Sequence, residues 1–480
     1  MELHINLIGR KNLSGEIYRQ IRQAVGDGRL RPGDCLPASR DLARSLRVSR
    51  TTVTVAYDRL AGEGFVITRV GAGTYVSGQV APEARADRGA RAEGVLRPRA
   101  VWDSIPFSSA FSSPAQFDFR TGLPDASLFP HETWRRLTSG ELRPESTSMG
   151  GYADPAGHPG LREAIARHIG VSRGVQASAE DITITSGAQQ ALDLVARALL
   201  GLRDRVAVED PGYSPPGLLF KSLGVRVCGV PVDEQGIVVD ALPRHARLVY
   251  VTPSHQYPLG VTMSLPRRLA LLSWAARNNA AIVEDDYDSE FRFGGRPVEP
   301  LQTLDTSGRV VYVGSFSKTL SPALRLGFVI TPGRCTSAVQ KAKYVTDWHA
   351  PMLSQAALAR FIDDGGFARH VRKVGRIYAE RHELVKNVLS REFSDHLAVI
   401  PSAAGLHVTA LARSASVDQI SALVRRASER GVAVQALSRF AGSVPARAGL
   451  VTGYGAIATD RIEEGLRRLR RCFDDGRKAR

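Results

Sequence analysis

The stretch Val313-Gly314-Ser315-Phe316-Ser317-Lys318-Thr319-Leu320-Ser321-Pro322-Ala323-Leu324-Arg325-Leu326-Gly327 decides how the larger part of this chain is read. An apolar strand ends in a loop that carries a lysine between serines, with an arginine further on. That combination suits a phosphate-bearing aldehyde. The Lys318 amine forms the Schiff base, and Ser315, Ser317 and Arg325 hold the phosphate. A lysine in a loop, taken singly, is more often a plain surface charge, so the reading depends on what other segments supply.

Outward from this stretch, short apolar runs at 181–185, 205–209, 248–252, 281–284, 310–314 and 327–331 alternate with longer helical patterns. The alternation starts near residue 113 and predicts a mostly parallel sheet covered on both faces. Residues 365–480 alternate less regularly and predict a smaller α+β domain. Ligands bind at the carboxyl ends of strands in open α/β sheets, and Glu284-Asp285-Asp286-Tyr287 follows such a strand. A carboxylate there keeps a pyridine nitrogen protonated, so that the ring acts as an electron sink. Asp285 is the candidate, with Tyr287 donating to the ring hydroxyl oxygen and Asp286 as an exposed neighbour. Thr185-Ser186-Gly187-Ala188 joins a strand to a helix, and Gly187 lets the backbone amides there, including that of Ala188, approach a phosphate at the helix N-terminus. Asp210-Pro211-Gly212-Tyr213 presents a ring suited to stacking on a flat heterocycle, although Tyr213 by itself reads better as a packed core tyrosine.

The first 78 residues have a different texture. Ile17, Ile21 and Val25 follow a helical period that breaks at Gly26, Gly28, Pro32 and Gly33. Ser39 is a good N-cap for a helix containing Leu42, Ala43 and Leu46. After a short turn, Ser49 caps a third helix that buries Val53, Tyr57 and Leu60. Two strands, 65–69 and 74–77, flank Gly71-Ala72-Gly73. Helix, helix, turn, helix, hairpin is the layout of a winged helix-turn-helix, an all-α-rich head. The N-terminus of the third helix would enter the major groove of double-stranded DNA. Ser49, Arg50, Thr51, Thr52 and Thr54 are therefore the candidate readers, with Arg40 as a phosphate contact and Arg69 as a wing contact. The bland alternative is a set of solvated polar faces on a small helical domain.

The domain reading is 1–78 for the head, 79–112 for a mobile linker rich in Ala, Arg, Gly and Pro, 113–364 for the large domain and 365–480 for the small one. Composition agrees with several domains: 480 residues, 43% hydrophobic, 45 glycines. The formal net charge of +16 suggests an anionic partner. It is spread along the chain, with twelve basic and seven acidic residues in 1–78. Cys35, Cys228, Cys335 and Cys472 are far apart and form no Cys-x-x-Cys pair, which argues against a disulfide framework or a zinc site and fits a reducing cytoplasm. No signal peptide is read at the N-terminus and no run is apolar enough to span a membrane.

Resemblance sharpens both halves. Leu36-Pro37-Ala38-Ser39-Arg40-Asp41-Leu42-Ala43, Val48-Ser49-Arg50-Thr51-Thr52-Val53, Ala56-Tyr57-Asp58-Arg59-Leu60, Glu63-Gly64 and Gly71-Ala72-Gly73-Thr74-Tyr75-Val76 resemble the GntR-type winged-helix head almost continuously. The lysine loop, the Asp285 and Gly187 segments and Gly151-Tyr152-Ala153-Asp154-Pro155-Ala156-Gly157 resemble the fold-type-I aminotransferases, whose cofactor is pyridoxal 5'-phosphate. In that family the early tyrosine reaches the cofactor phosphate of a neighbouring subunit, a part that falls here to Tyr152 and implies a dimer. Thr252-Pro253-Ser254-His255-Gln256-Tyr257-Pro258, with Tyr257 where aminotransferases place an asparagine, resembles the MocR/GabR subfamily of regulators, which fuse both halves in this order. That resemblance implies a head-to-tail homodimer. One departure stands out: Val451 occupies the place of the arginine that binds the substrate carboxylate, and Arg439 and Arg447 are loose substitutes.

Three functions follow: a regulator that senses an amine or amino-acid effector through its pyridoxal phosphate, a regulator that senses pyridoxal phosphate itself, and a working aminotransferase with an accessory DNA-binding head. The head argues for the regulators. The missing arginine argues against efficient transamination.

Overall fold

The structure is a computed structural model that describes residues 5–7, 12–69, 73–78, 96–106, 115–142, 151–294 and 299–478, the last four as backbone. The chain forms two compact units, Met1–Pro98 and Arg99–Arg480.

In the first unit, helix α1 (Leu13–Gly26) turns Ile17, Tyr18, Ile21, Ala24 and Val25 inward at three- and four-residue spacing. Strand β1 (Cys35–Leu36) precedes helix α2 (Ser39–Leu46) and helix α3 (Arg50–Gly62). Strands β2 (Val66–Arg69) and β3 (Gly73–Val76) then form the wing hairpin. β1 adds to the far side of β3, a pairing of two residues too short to read from sequence periodicity. Ser39 is the first residue of α2 and not its cap; Ala38 holds that position without a side-chain bond. Ser49 does cap α3, its hydroxyl accepting from the Thr52 amide at 3.1 Å. Between the two helices Arg47 adopts a left-handed conformation, φ 54°, which turns the chain sharply. The tip of the wing, 70–72, lies outside the described residues.

The second unit is built around one sheet. Strand β4 (Phe117–Asp118) comes first, followed by β5 (Ile182–Thr185), β6 (Arg205–Asp210), β7 (Arg226–Asp233), β8 (Gly236–Ile237), β9 (Ala246–Val251), β10 (Ala281–Asp286), β11 (Val310–Ser315) and β12 (Gly327–Ile330). Eight of these form a sheet in the order β5-β12-β11-β10-β9-β6-β7-β8. β11, β10, β9, β6 and β7 run parallel, while β12 is antiparallel to both neighbours and β8 turns back on β7. Most of these strands are buried on both faces, which explains their continuous apolar runs. A second sheet, β13 (Leu397–Val399), β14 (His407–Ala412), β16 (Gln435–Ala436) and β17 (Gly449–Gly453), lies among the C-terminal helices. The intervening strand β15 (Val432–Ala433) pairs with β4. Phe117 and Phe119 therefore pack in the same core cluster as Leu466 and Leu469, although their sequence position is at the other end of the unit.

Part of the segment expected as a linker packs on this unit. Residues Ala100–Ser104 form a 3-10 helix, and Arg99 Nη2 donates to the Ser222 carbonyl at 2.5 Å. Residues 79–95 and 107–112 of that segment lie outside the described residues. Among the described residues no helix is long and apolar enough to cross a membrane, and all four cysteines are free.

Leu60 is fully buried where α3 meets the rest of the head core. Leu60→Ala should cost about 2–5 kcal/mol. Amide hydrogen exchange should show the loss in α1 and α3 while the body sheet keeps its protection.

Candidate functional site

The carboxyl ends of the parallel strands converge on one cleft. β11 ends at Ser315, whose hydroxyl accepts from the Ser317 amide at 3.1 Å and so shapes the turn into Lys318. The Lys318 amine donates to the Gly122 carbonyl at 2.5 Å. Loss of water lowers its pKa from the ordinary value, against the opposing pull of Asp288 and Asp285. Further on, Arg325 turns back with φ 51° and donates from Nη2 to the Ser186 carbonyl at 2.5 Å. Its guanidinium lies flat against Gly187, where a Cβ would come within 2.8 Å of Nη2. Helices α4 (His131–Glu141) and α5 (Pro159–Arg173) precede α6 (Ala188–Leu199), and Gly187, at φ 80°, is the cap position of α6. Glycine is required there twice over, by its backbone angle and by the arginine that crosses it.

Asp285 stands at the end of β10, 3% exposed. Tyr250 donates to its Oδ2 at 2.6 Å. Oδ1 is buried with no hydrogen-bond partner among the described residues. Burial pushes the carboxyl up to about 6, against the Tyr250 hydroxyl and Lys318. A buried carboxylate oxygen left open is costly, and it is the atom that a protonated pyridine nitrogen would satisfy. Tyr213 follows β6, half-exposed, with its ring edge-on to Tyr257 at 5.7 Å. It is not a core tyrosine.

One expectation needs correction. Asp286 is buried rather than an exposed neighbour: Arg173 bonds it from Nε at 2.9 Å and the Tyr312 hydroxyl at 2.5 Å. Alternation along β10 places Asp286 on the face opposite Asp285, against α5. The Tyr287 hydroxyl donates to the His255 carbonyl at 2.9 Å and lies 3.1 Å from His255 Nδ1. His255 in turn holds Asp288 through Nδ1 at 3.0 Å and Ser402 through Nε2 at 3.3 Å.

Sequence reasoning missed the two acids just before Tyr213. Glu209 accepts from the Thr252 amide and hydroxyl and from Gln256, and so holds the 252–257 loop that carries Tyr257. Burial pushes Glu209 up to about 7. Asp210 accepts from the amides of Gly442, Ser443 and Val444 at 2.6–2.8 Å. That bond set clamps a loop of the C-terminal layer beside Tyr213. The signal available was two consecutive acids at the end of an apolar strand, which need partners if the strand is central.

Val451 is fully buried in β17, in a cluster with Leu437, Phe440, Leu259, Val261 and the side of Tyr257. The Tyr257 hydroxyl is hydrogen-bonded to Thr121 at 2.5 Å. Arg439 and Arg447 are exposed, and the charge of Arg439 acts on the Tyr257 hydroxyl. Tyr152 is 80% exposed and stands over Trp348 at 4.2 Å, outside the cleft.

In the head, the first turn of α3 divides its polar groups. Ser49 and Thr52 hydroxyls bond each other at 2.8 Å, and Thr54 donates to the Arg50 carbonyl at 3.1 Å. Arg50 and Thr51 remain exposed and uncommitted among the described residues. Arg40 is exposed, 4.0 Å from Asp41. Arg69 is exposed on the wing, over the Tyr75 ring at 5.5 Å.

A three-helix head with a wing, joined in one chain to a cleft of this kind, defines a DNA-binding regulator with an aminotransferase-like body. Residues 13–76 match the gntR family of bacterial regulatory proteins, and residues 125–451 match aminotransferase class I and II, a family that depends on pyridoxal phosphate. The chain is 36% identical over 472 residues to the probable rhizopine catabolism regulatory protein MocR of Rhizobium meliloti, covering 95% of this chain and 93% of that one. It is 32% identical to the pyridoxine biosynthesis transcriptional regulator PdxR of Corynebacterium glutamicum, over 93% of each. Among solved structures, the α-aminoadipate aminotransferase LysN of Thermus thermophilus, complexed with N-(5'-phosphopyridoxyl)-L-leucine, superposes with a TM-score of 0.69 at 30% identity, over 76% of this chain and 93% of that one. The chain belongs to the MocR/GabR subfamily of GntR-type transcription regulators.

Two measurements follow. Arg50→Ala should weaken operator binding by about 1–3 kcal/mol, whereas Arg69→Ala should weaken all sequences similarly and reduce the salt slope by about 1; fluorescence anisotropy across a salt series separates the two. Asp210→Ala should cost about 2–3 kcal/mol and speed amide exchange at 442–444, and Asp210→Asn, which keeps one acceptor oxygen, should cost less.

Proposed function

We propose that the body binds pyridoxal 5'-phosphate and turns its occupancy into a change in operator affinity, with little transamination. Asp285, whose charge acts on the Lys318 amine and whose buried Oδ1 lacks a donor among the described residues, supports cofactor binding, because such an oxygen fits a protonated ring nitrogen. Lys318 would carry the aldehyde carbon. The amides at Gly187 and Ala188, the hydroxyls of Ser315 and Ser317 and the Arg325 guanidinium would hold the phosphate. Tyr213 would cover one face of the ring, and Tyr287 would stand beside it. When bound, the cofactor supplies an electrophilic carbonyl and an electron sink. Tyr152 would reach the phosphate site of a second copy in a head-to-tail dimer, a reading supported by its exposed ring. The protein would act in the cytoplasm, on double-stranded operator DNA.

The observation that carries the regulatory reading is Val451 in its apolar cluster. Transamination depends on holding a substrate in register with the lysine, and orientation supplies a large share of such rate enhancement. With an apolar wall in place of the carboxylate anchor, an amino acid is held loosely. A regulator needs only a difference in affinity between two conformations. An amine or amino-acid effector at the cofactor, with residues 365–480 closing over the cleft and shifting the heads through the 79–112 segment, would supply it. A second reading, in which pyridoxal phosphate is itself the effector, is favoured by the same valine, because it asks for no carboxylate anchor. The names of the relatives divide in the same way, between rhizopine catabolism and pyridoxine biosynthesis.

Incubation with pyridoxal phosphate followed by borohydride should leave a phosphopyridoxyl group on Lys318, found by peptide mass spectrometry and absent in Lys318→Ala. Operator affinity should differ between cofactor-free and cofactor-loaded protein, or change when the right amine is added. Turnover across a panel of amino acids should stay far below the ordinary range of about 1–1000 per second. An unmodified Lys318 would remove the cofactor from the account. Robust turnover with cofactor-indifferent DNA binding would reverse the ranking of regulator and enzyme.

A further inference from the structure

Helix α3 carries one apolar side chain that folding does not explain. Val53, Ala56, Tyr57 and Leu60 form its buried stripe, and they belong to the head's core cluster. Val55 is 51% exposed and lies outside that cluster. A β-branched residue on an exposed helix face is a poorer helix former than the alanine, lysine or glutamate usual there. Its position is accounted for neither by the core nor by the helix.

Its neighbours identify the face. Side chains four apart on a helix stand one above the other, so Val55 lies one turn below Thr51, beside Arg50 at the helix start. The remaining hydroxyls of this region are spent within the helix: Ser49 and Thr52 on each other, Thr54 on the Arg50 carbonyl. The outward-facing groups left at the start of α3 are Arg50, Thr51 and Val55, all exposed. In a helix-turn-helix this is the face that meets base edges. An arginine and a threonine can hydrogen-bond there. A valine can only make apolar contact, and the apolar feature of a base edge in the major groove is the C5 methyl group of thymine.

We propose that Val55 reads a thymine methyl group in the operator, one helical turn further along α3 than the contacts of Arg50 and Thr51. This rests on the head being the DNA reader, and adds to it the chemistry of one base position. Burying a methyl group between Val55 and the base accounts for the preference without any hydrogen bond.

The test uses the full-length protein. Wild type, Val55→Ala and Val55→Ser each select binding sites from a library of random double-stranded DNA. The wild-type consensus should contain a thymine whose preference disappears in both variants, while the positions read by Arg50 stay unchanged. In the selected duplex, replacing that thymine by deoxyuracil removes only the methyl group. It should weaken wild type about fourfold and leave Val55→Ala nearly unaffected. Thermal stability of both variants close to that of wild type, with Val55→Ala no lower as helix propensity requires, excludes misfolding as the cause. The proposal is overturned if the variants select the wild-type consensus, or if deoxyuracil costs wild type and Val55→Ala the same. If wild type selects no sequence at all, sequence reading by the head falls with it, whereas selection without a Val55-dependent thymine leaves the head a DNA reader and removes only this contact.

Discussion

A carboxylate carried into the interior at the end of a strand must find hydrogen bonds, and the body of this protein buries Glu209, Asp210, Glu284, Asp285, Asp286 and Asp288 in that way. Each solution ties one loop to another. Glu209 holds the Tyr257 loop. Asp210 holds the 442–444 loop. Glu284 accepts from the amides of Leu301 and Gln302 and faces Arg268. Asp286 holds Arg173, and Asp288 holds His255. Glu209, Asp285 and Asp286 each keep one buried oxygen without a partner among the described residues, and of these Asp285 is the one whose charge acts on the Lys318 amine. The cleft is thus defined less by the groups that line it than by the carboxylates that fasten its walls.

That arrangement also explains how the cleft departs from those of the enzymes it resembles. Tyr257, held through Thr252 and Gln256 by Glu209, fills space with an aromatic ring and spends its hydroxyl on Thr121. Val451, Leu437 and Phe440 complete an apolar wall around it. A cation placed in that wall would lose its hydration without gaining a carboxylate until ligand arrived. On the proposed reading, the lysine, aspartate and arginine would serve a cofactor, and the apolar wall would offer a carboxylate substrate no anchor.

The head shows the same priority of structure over recognition. A helix start leaves amides without partners, and the Ser49 hydroxyl is taken by that need before any DNA is present. Of five residues at the start of α3 that look equally able to read a base, two remain exposed and uncommitted. The valine that composition would discard as filler stands on the same face.

The sequence by itself determined the architecture. Strand and helix periods, the serine-flanked lysine, the glycine at 187 and the order of head and body were all legible, because each depends on local spacing or on a residue type that few positions tolerate. Tertiary structure alone decided which partner each buried acid meets. Asp285 and Asp286 are adjacent and chemically identical, and only the packing of α5 on one face of β10 gives Asp286 an arginine while Asp285, on the other face, meets the Tyr250 hydroxyl. The pairing of β4 with β15, the approach of Arg325 to Gly187 and the burial of Val451 are of the same kind. Each joins segments far apart in the chain, and no local pattern records which distant partner a residue will meet.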